Sequence, residues 1–186
     1  MDIVKFSLFP TLVLCFPQFI SSKECNKIFK LLRTKKLDNH PRLIKGKSTH
    51  GSGIDLLSEI SIDVIKPIKE YSYQSKIKIK NKITNSWFNI QDKESILKEH
   101  LHSNSVLSGA LFINVGEKAS KLYFYNPNPF IYYIDREEPA NDYTYEYYYF
   151  TPKKGDLIIF PSWLRHGSNH NKNFYNNRTV VSFNAI

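Results

Sequence analysis

At 186 residues, 41 % of them apolar and 15 % aromatic, the chain is long enough for one domain with a full core and too apolar for a disordered segment. Its formal charge of +9 points to anionic partners: a nucleic acid, an acidic protein surface or a small dicarboxylate. Two cysteines, Cys15 and Cys25, exclude a disulfide scaffold and fit a reduced intracellular protein.

Residues 3 to 20 are apolar, yet Asp2, Lys5, Pro10 and Pro17 interrupt them. A spanning helix needs about 20 mostly apolar residues and a signal peptide an unbroken apolar centre, so neither fits and a cytoplasmic location is expected. Alternation predicts a strand over Ile3 to Leu8, ended by Pro10, and a second over Leu12 to Phe16, closed by Pro17. Ser21 or Ser22 can cap a helix with Glu24 in its first turn, and Cys25, Ile28, Phe29, Leu31 and Leu32 give its apolar stripe; it should run to about Lys35. From Asp38 to Gly53 the chain is polar, with Pro41, Gly46, Gly51 and Gly53, and reads as a loop in which His40 and His50 are simply solvated. Asp55 to Ser75 has apolar residues at helical spacing, with Pro67 kinking or splitting the helix.

Beyond residue 75 the period changes from helical to alternating. Ile77 to Ile83, Ser86 to Ile90, Ile96 to His102, Val106 to Val115, Lys121 to Tyr125, Tyr143 to Phe150, Asp156 to Pro161 and Thr179 to Phe183 all read as short strands. In the first of these, lysine alternates with isoleucine from Lys76 to Lys82, as an exposed edge strand does, and that reading is preferred to a nucleic-acid patch. About eight strands behind two helices predict a mainly β (α+β) fold: a jelly roll with an N-terminal helical segment, about residues 21–75, packed on one sheet. Without internal repeat or linker, residues 1–186 read as a single domain. The segment from Asn126 to Tyr149, rich in Tyr, Asn and Pro, is long for a hairpin, and such insertions often cover a site.

The residues that carry chemistry are His100, His102, His166 and Arg178. Residues two apart on a strand share a face, so His100 and His102 can reach one point, which is a metal-ligand spacing. Taken alone, His-x-His is equally well two partly buried imidazoles bonded to backbone. His166 adds weight because it appears where the apolar run Asp156 to Pro161 leaves the core. Arg178 opens the apolar run Thr179 to Phe183, where a guanidinium costs several kcal/mol unless an anion pairs with it. Three imidazoles can hold a transition metal and one guanidinium can hold a carboxylate bidentately.

In order and spacing, several segments resemble the iron(II)/2-oxoglutarate-dependent oxygenase superfamily, specifically small oxygenases of marine bacteria and their phages. They are Leu8-Phe9-Pro10-Thr11, Ser86-Trp87-Phe88-Asn89-Ile90, His100-Leu101-His102-Ser103-Asn104-Ser105, Leu107-Ser108-Gly109, the run from Gly155 to His166, and Arg178 through Ser182-Phe183-Asn184. The resemblance implies a double-stranded β-helix, the same jelly roll. It implies His100 and His166 as iron ligands and Arg178 as the salt bridge to the far carboxylate of 2-oxoglutarate, with no catalytic residue beyond the ligands. His102 stands where most of the superfamily has a carboxylate, and Glu99, on the opposite strand face, does not replace it. Val180 stands where many relatives have a serine, and Leu111 and Phe112 where they often have tyrosines.

The implied activity is a dioxygenase using Fe(2+), 2-oxoglutarate and O2 to hydroxylate an unidentified substrate, for example a prolyl side chain or a small molecule, in the host cytoplasm if the chain is phage-encoded. The Tyr-rich insertion and Trp163 are more simply packing than a substrate wall. Two alternatives remain open: a cupin-type module that binds metal or ligand without turnover, and a degenerate oxygenase fold that serves as an interaction protein for a nucleic acid or an acidic surface.

Overall fold

A computed structural model describes the chain except residues 1, 2, 6, 52–54, 136 and 169. Asp2, the middle of the first expected strand and Gly53 of the expected loop therefore lie outside the described residues. The elements follow in chain order. Strand β1 is Leu14–Phe16 and helix α1 is Ser22–Leu32; a hairpin of β2 (Asp38–His40) and β3 (Leu43–Ser48) precedes α2 (Leu56–Glu59) and α3 (Ile65–Ser75). Strands β4 (Ile83–Leu97), β5 (Leu107–Asn114), β6 (Leu122–Tyr125), β7 (Tyr147–Phe150), β8 (Leu157–Pro161), β9 (His166–Gly167) and β10 (Arg178–Ala185) complete the chain, with a 3-10 turn at Pro129–Tyr133.

Helix α1 starts on a capping box. The Ser21 N–H donates to Glu24 Oε2 at 2.9 Å and the Glu24 N–H donates back to Ser21 Oγ at 3.2 Å, which satisfies two donors that a helix start leaves open. Its apolar stripe buries Cys25, Ile28 and Leu32 against β5, and it ends at Leu32, short of the expected Lys35. The next helical stretch is split, though not at Pro67. The break falls between Glu59 and Ile65, and Pro67 is the third residue of α3, where a missing N–H costs no intrahelical bond.

Seven strands form one antiparallel sheet in the order β1-β8-β5-β10-β4-β3-β2, and three form a second in the order β7-β6-β9. The helices lie on one face of the larger sheet. Leu107, Leu111, Ile113, Leu157, Ile159, Val181 and Phe183 join Cys25, Ile28, Leu32 and Ile68 there in one buried cluster. From the other face Ala110, Phe112, Ile158, Phe160 and Val180 meet Leu122 and Phe124 of the smaller sheet in a second cluster. Two sheets packed face to face with helices behind one of them are the jelly roll expected from the strand pattern.

Four expectations fail locally. No strand forms over the described residues of Ile3 to Leu8, and none over 77–82, where left-handed backbone at Lys76 (φ 57°) and Asn81 (φ 56°) prevents extended pairing. The polar stretch expected to be a loop holds β2 and β3, which extend the edge of the large sheet beside β4. The expected strand from Ile96 to His102 instead closes β4 at Leu97, and only a single bridge follows, between His100 and His166. No described helix is long and apolar enough to cross a membrane.

Candidate metal centre

Backbone pairing brings the first two histidines together. The His100 N–H donates to the His166 carbonyl and the His166 N–H to the His100 carbonyl, both at 2.9 Å, so the two residues are direct cross-strand neighbours and their side chains rise from the same face. His102, two residues further, is fixed by its N–H donating to the Ser162 carbonyl at 2.9 Å. The ligand atoms of His100, His102 and His166 all lie within 4.8 Å of one another. His102 Nε2 and His166 Nε2 are 3.3 Å apart. Two nitrogens bound at right angles to one ion at about 2.1 Å stand about 3 Å apart, so this pair is already close to ligating distance.

Tautomer and charge also suit a metal. The Nδ1 atoms of His100 and His166 lie 2.8 Å from the carbonyls of Lys98 and Leu164, so each Nδ1–H donates outward and leaves the Nε2 lone pair facing its neighbours. Burial pushes the His100 imidazole down to about 4 and His102 to about 3, the Arg42 charge adding to both shifts, and burial holds His166 well below the ordinary histidine range. All three rings are neutral at pH 7, the form that binds metal.

Arg178 begins β10 and is only 4 % exposed. Its Nε donates to the Ser120 carbonyl at 3.2 Å, its Nη1 donates to Gln91 Oε1, and its guanidinium lies 5.5 Å from the Phe112 ring centroid. No described carboxylate pairs with it, and burial lowers its pKa to about 10. The charge therefore sits in the core held by neutral groups alone, the arrangement that favours an incoming anion. The histidines and Arg178 line one cavity of about 410 Å³ between the sheets.

Sequence reasoning placed these four residues and missed most of what surrounds them. Gln91 faces Arg178 because the two are direct partners in the β4–β10 register, 87 residues apart in sequence. Asn85, Trp87, Asn89 and Gln91 alternate along the cavity side of β4, and such a period-two run of amides in an otherwise apolar sheet was a legible signal. His40 and His50 are not simply solvated. They line the cavity, with the His50 ring 4.8 Å from Trp87 and the Trp87 ring 5.5 Å from His102. Trp163, 53 % exposed, and the described residues of 126–149 do not line it. Glu99 points away and binds Arg165 Nη1 at 2.7 Å. Val180 and Ser182 follow Arg178 on the cavity side, as does Phe112, whereas Leu111 packs under the helices.

Residues 85–184, just over half of the chain and spanning all four site residues, match a family model described as "Putative 2OG-Fe(II) oxygenase". The chain belongs to this oxygenase family. The family takes its name from iron(II) and 2-oxoglutarate, the two cofactors with which its members activate O2. No curated protein sequence matches this chain. Among solved structures it is similar to HygX from Streptomyces hygroscopicus with nickel and 2-oxoglutarate bound, at TM-score 0.63 and 10 % identity over 93 % of this chain and 82 % of that one. A Pseudomonas putida prolyl-4-hydroxylase gives 0.64 and 9 % over 94 % and 92 %. The viral collagen prolyl hydroxylase vCPH of Paramecium Bursaria Chlorella virus-1, a 2OG complex, gives 0.56 and 11 % over 94 % and 96 %. At such identities the likeness carries the fold, a double-stranded β-helix.

Proposed function

We propose that this chain is, as one domain, an iron(II)- and 2-oxoglutarate-dependent dioxygenase. His100, His102 and His166 hold the metal through Nε2, and Arg178 holds the distal carboxylate of 2-oxoglutarate. The observation that carries the reading is the pairing of a neutral three-imidazole cluster with a buried guanidinium that no described carboxylate pairs, in one cavity. The donor set fits: imidazole suits iron, and a third imidazole in place of the usual carboxylate would hold the ion with one negative charge fewer. When bound, the metal and co-substrate supply the oxidising power, consuming O2 and decarboxylating 2-oxoglutarate to succinate and CO2 as a substrate C–H bond is hydroxylated.

The protein's own part is placement and shielding. The Lys98 and Leu164 carbonyls fix which imidazole nitrogen faces the ion, Gln91 and the Ser120 carbonyl aim the guanidinium, and Phe112, Phe160 and Leu122 keep the inner wall apolar. The substrate is unidentified; a prolyl side chain, the type named for two structural relatives, is the first to test. His102 favours a second reading, a metal- or ligand-binding module without turnover.

Calorimetry with iron(II) or cobalt(II) and then 2-oxoglutarate should show metal-dependent binding of the dicarboxylate. Succinate release with iron and ascorbate should follow and should vanish in His166→Ala. Binding of both without succinate, whatever the substrate, would leave the module reading, and binding of neither would remove both readings.

A further inference from the structure

The metal and 2-oxoglutarate leave part of the cavity's charge unanswered. With three neutral imidazoles as ligands, iron(II), Arg178 and a 2-oxoglutarate dianion leave one positive charge uncancelled, where a triad containing a carboxylate would leave none. The cavity lining deepens that imbalance. Among the described residues it holds two arginines, Arg42 and Arg178, and no aspartate or glutamate.

Arg42 sits at the turn between β2 and β3, over the mouth of the cavity. Its backbone is fixed: the Lys98 N–H donates to the Arg42 carbonyl at 2.8 Å, tying the turn to the segment that leads into His100, and Pro41 precedes it. Its guanidinium is exposed and has no hydrogen-bond or ion-pair partner among the described residues. Two other cations of this region are occupied, Arg165 by Glu99 and Lys45 by Glu94. Lining the same cavity as Arg42, the His50 ring lies 4.8 Å from Trp87 and the Trp87 ring 5.5 Å from His102, so an aromatic wall leads to the histidine cluster.

Resting on the oxygenase reading, we infer that the substrate carries an oxyanion, a carboxylate or a phosphate, that binds Arg42 while the rest of the molecule lies along Trp87 toward the metal. A guanidinium fork is the side chain best matched to either group, and the substrate's charge offsets what the missing carboxylate ligand leaves. This separates the two arginines by role: Arg178 for the co-substrate inside, Arg42 for the substrate outside.

The test uses the full chain loaded with cobalt(II) and 2-oxoglutarate, loading being measured first by calorimetry for each variant. Inorganic phosphate, benzoate and its neutral isostere benzamide are then titrated, and binding is read from paramagnetic relaxation of their phosphorus or proton signals by the cobalt. Phosphate and benzoate should bind at least about tenfold more tightly than benzamide, and weaken with added salt. Arg42→Gln should reduce that preference to under about threefold, and Arg42→Lys should keep part of it as a point charge. Loaded protein that treats the three probes alike, binds none of them, or keeps its preference in Arg42→Gln overturns this inference alone. A wild-type chain that takes up neither cobalt nor 2-oxoglutarate overturns the oxygenase reading and this inference with it.

Discussion

On the helix side of β10, Val181, Phe183 and Ala185 are fully buried among other apolar side chains, while on the cavity side of the same strand Arg178, Ser182 and Asn184 are polar and Val180 alone is apolar. The partners repeat the contrast. Leu111, Ile113 and Phe88 face the helices, whereas Asn85, Asn89 and Gln91 face the cavity. One face of the sheet lowers the free energy of the fold and the other holds polar groups at a cost. The two sets of residues should therefore answer to different measurements.

The largest effect is expected on the helix side. A Cβ at Gly109 would come within 2.2 Å of the Phe183 ring, so the ring is packed against bare backbone and nothing can collapse into its place. Phe183→Ala should lose about 3 to 5 kcal/mol in urea unfolding. Metal affinity of the protein that remains folded should not change.

Arg178→Met should do the reverse. It removes a charge that burial disfavours, so the ligand-free protein should unfold at the same or a higher urea concentration, while 2-oxoglutarate affinity measured by calorimetry falls about 100-fold. A clear loss of stability would mean that the guanidinium serves the fold.

Acid should unfold the protein through the cavity side. Imidazoles whose pKa values in the fold lie below the unfolded value near 6.5 bind fewer protons folded than unfolded, so stability rises with pH. It should be complete above about 6.5 and be lost as pH falls toward the values near 4 and 3 of His100 and His102, at about 1.4 kcal/mol per pH unit for each ring kept neutral. Urea midpoints between pH 7.5 and 5 measure this, and metal-free His166→Ala should show a shallower slope.

The smallest effect sharpens the metal reading. His102→Asp restores a carboxylate to the cluster and should tighten cobalt(II) binding about tenfold by calorimetry with little change in stability. Weaker binding would show that a third imidazole is required.

What could be read from the sequence follows the same division. Strands β5, β8 and β10 were legible because burial on at least one face enforces an apolar pattern; the histidine pair was legible from its two-residue spacing, although the strand expected there ends at Leu97 and backbone bonds to His166 and Ser162 place the two residues instead. The β2–β3 hairpin was not. It lies at a sheet edge with mostly exposed side chains and Gly46 in its second strand, so no apolar pattern marks it, and Arg42, His40 and His50 went unplaced with it. The converse error came from Lys76 to Lys82, where alternation was present but left-handed backbone at Lys76 and Asn81 kept the segment out of the sheet. The Arg178–Gln91 contact depends on a long-range register that no local window contains.

Strand order carries one more consequence. β10 follows all the other described strands in sequence and lies at the centre of the large sheet, hydrogen-bonded to β5 on one side and β4 on the other. Before it inserts, β1-β8-β5 and β4-β3-β2 are two fragments with open edges facing one another. During synthesis that gap stays unfilled until residues 178–185 leave the ribosome, so closure is nonlocal and should be slow and exposed to misassociation. The same insertion delivers the Arg178 guanidinium, so the barrel and the charged end of its cavity are completed in a single event.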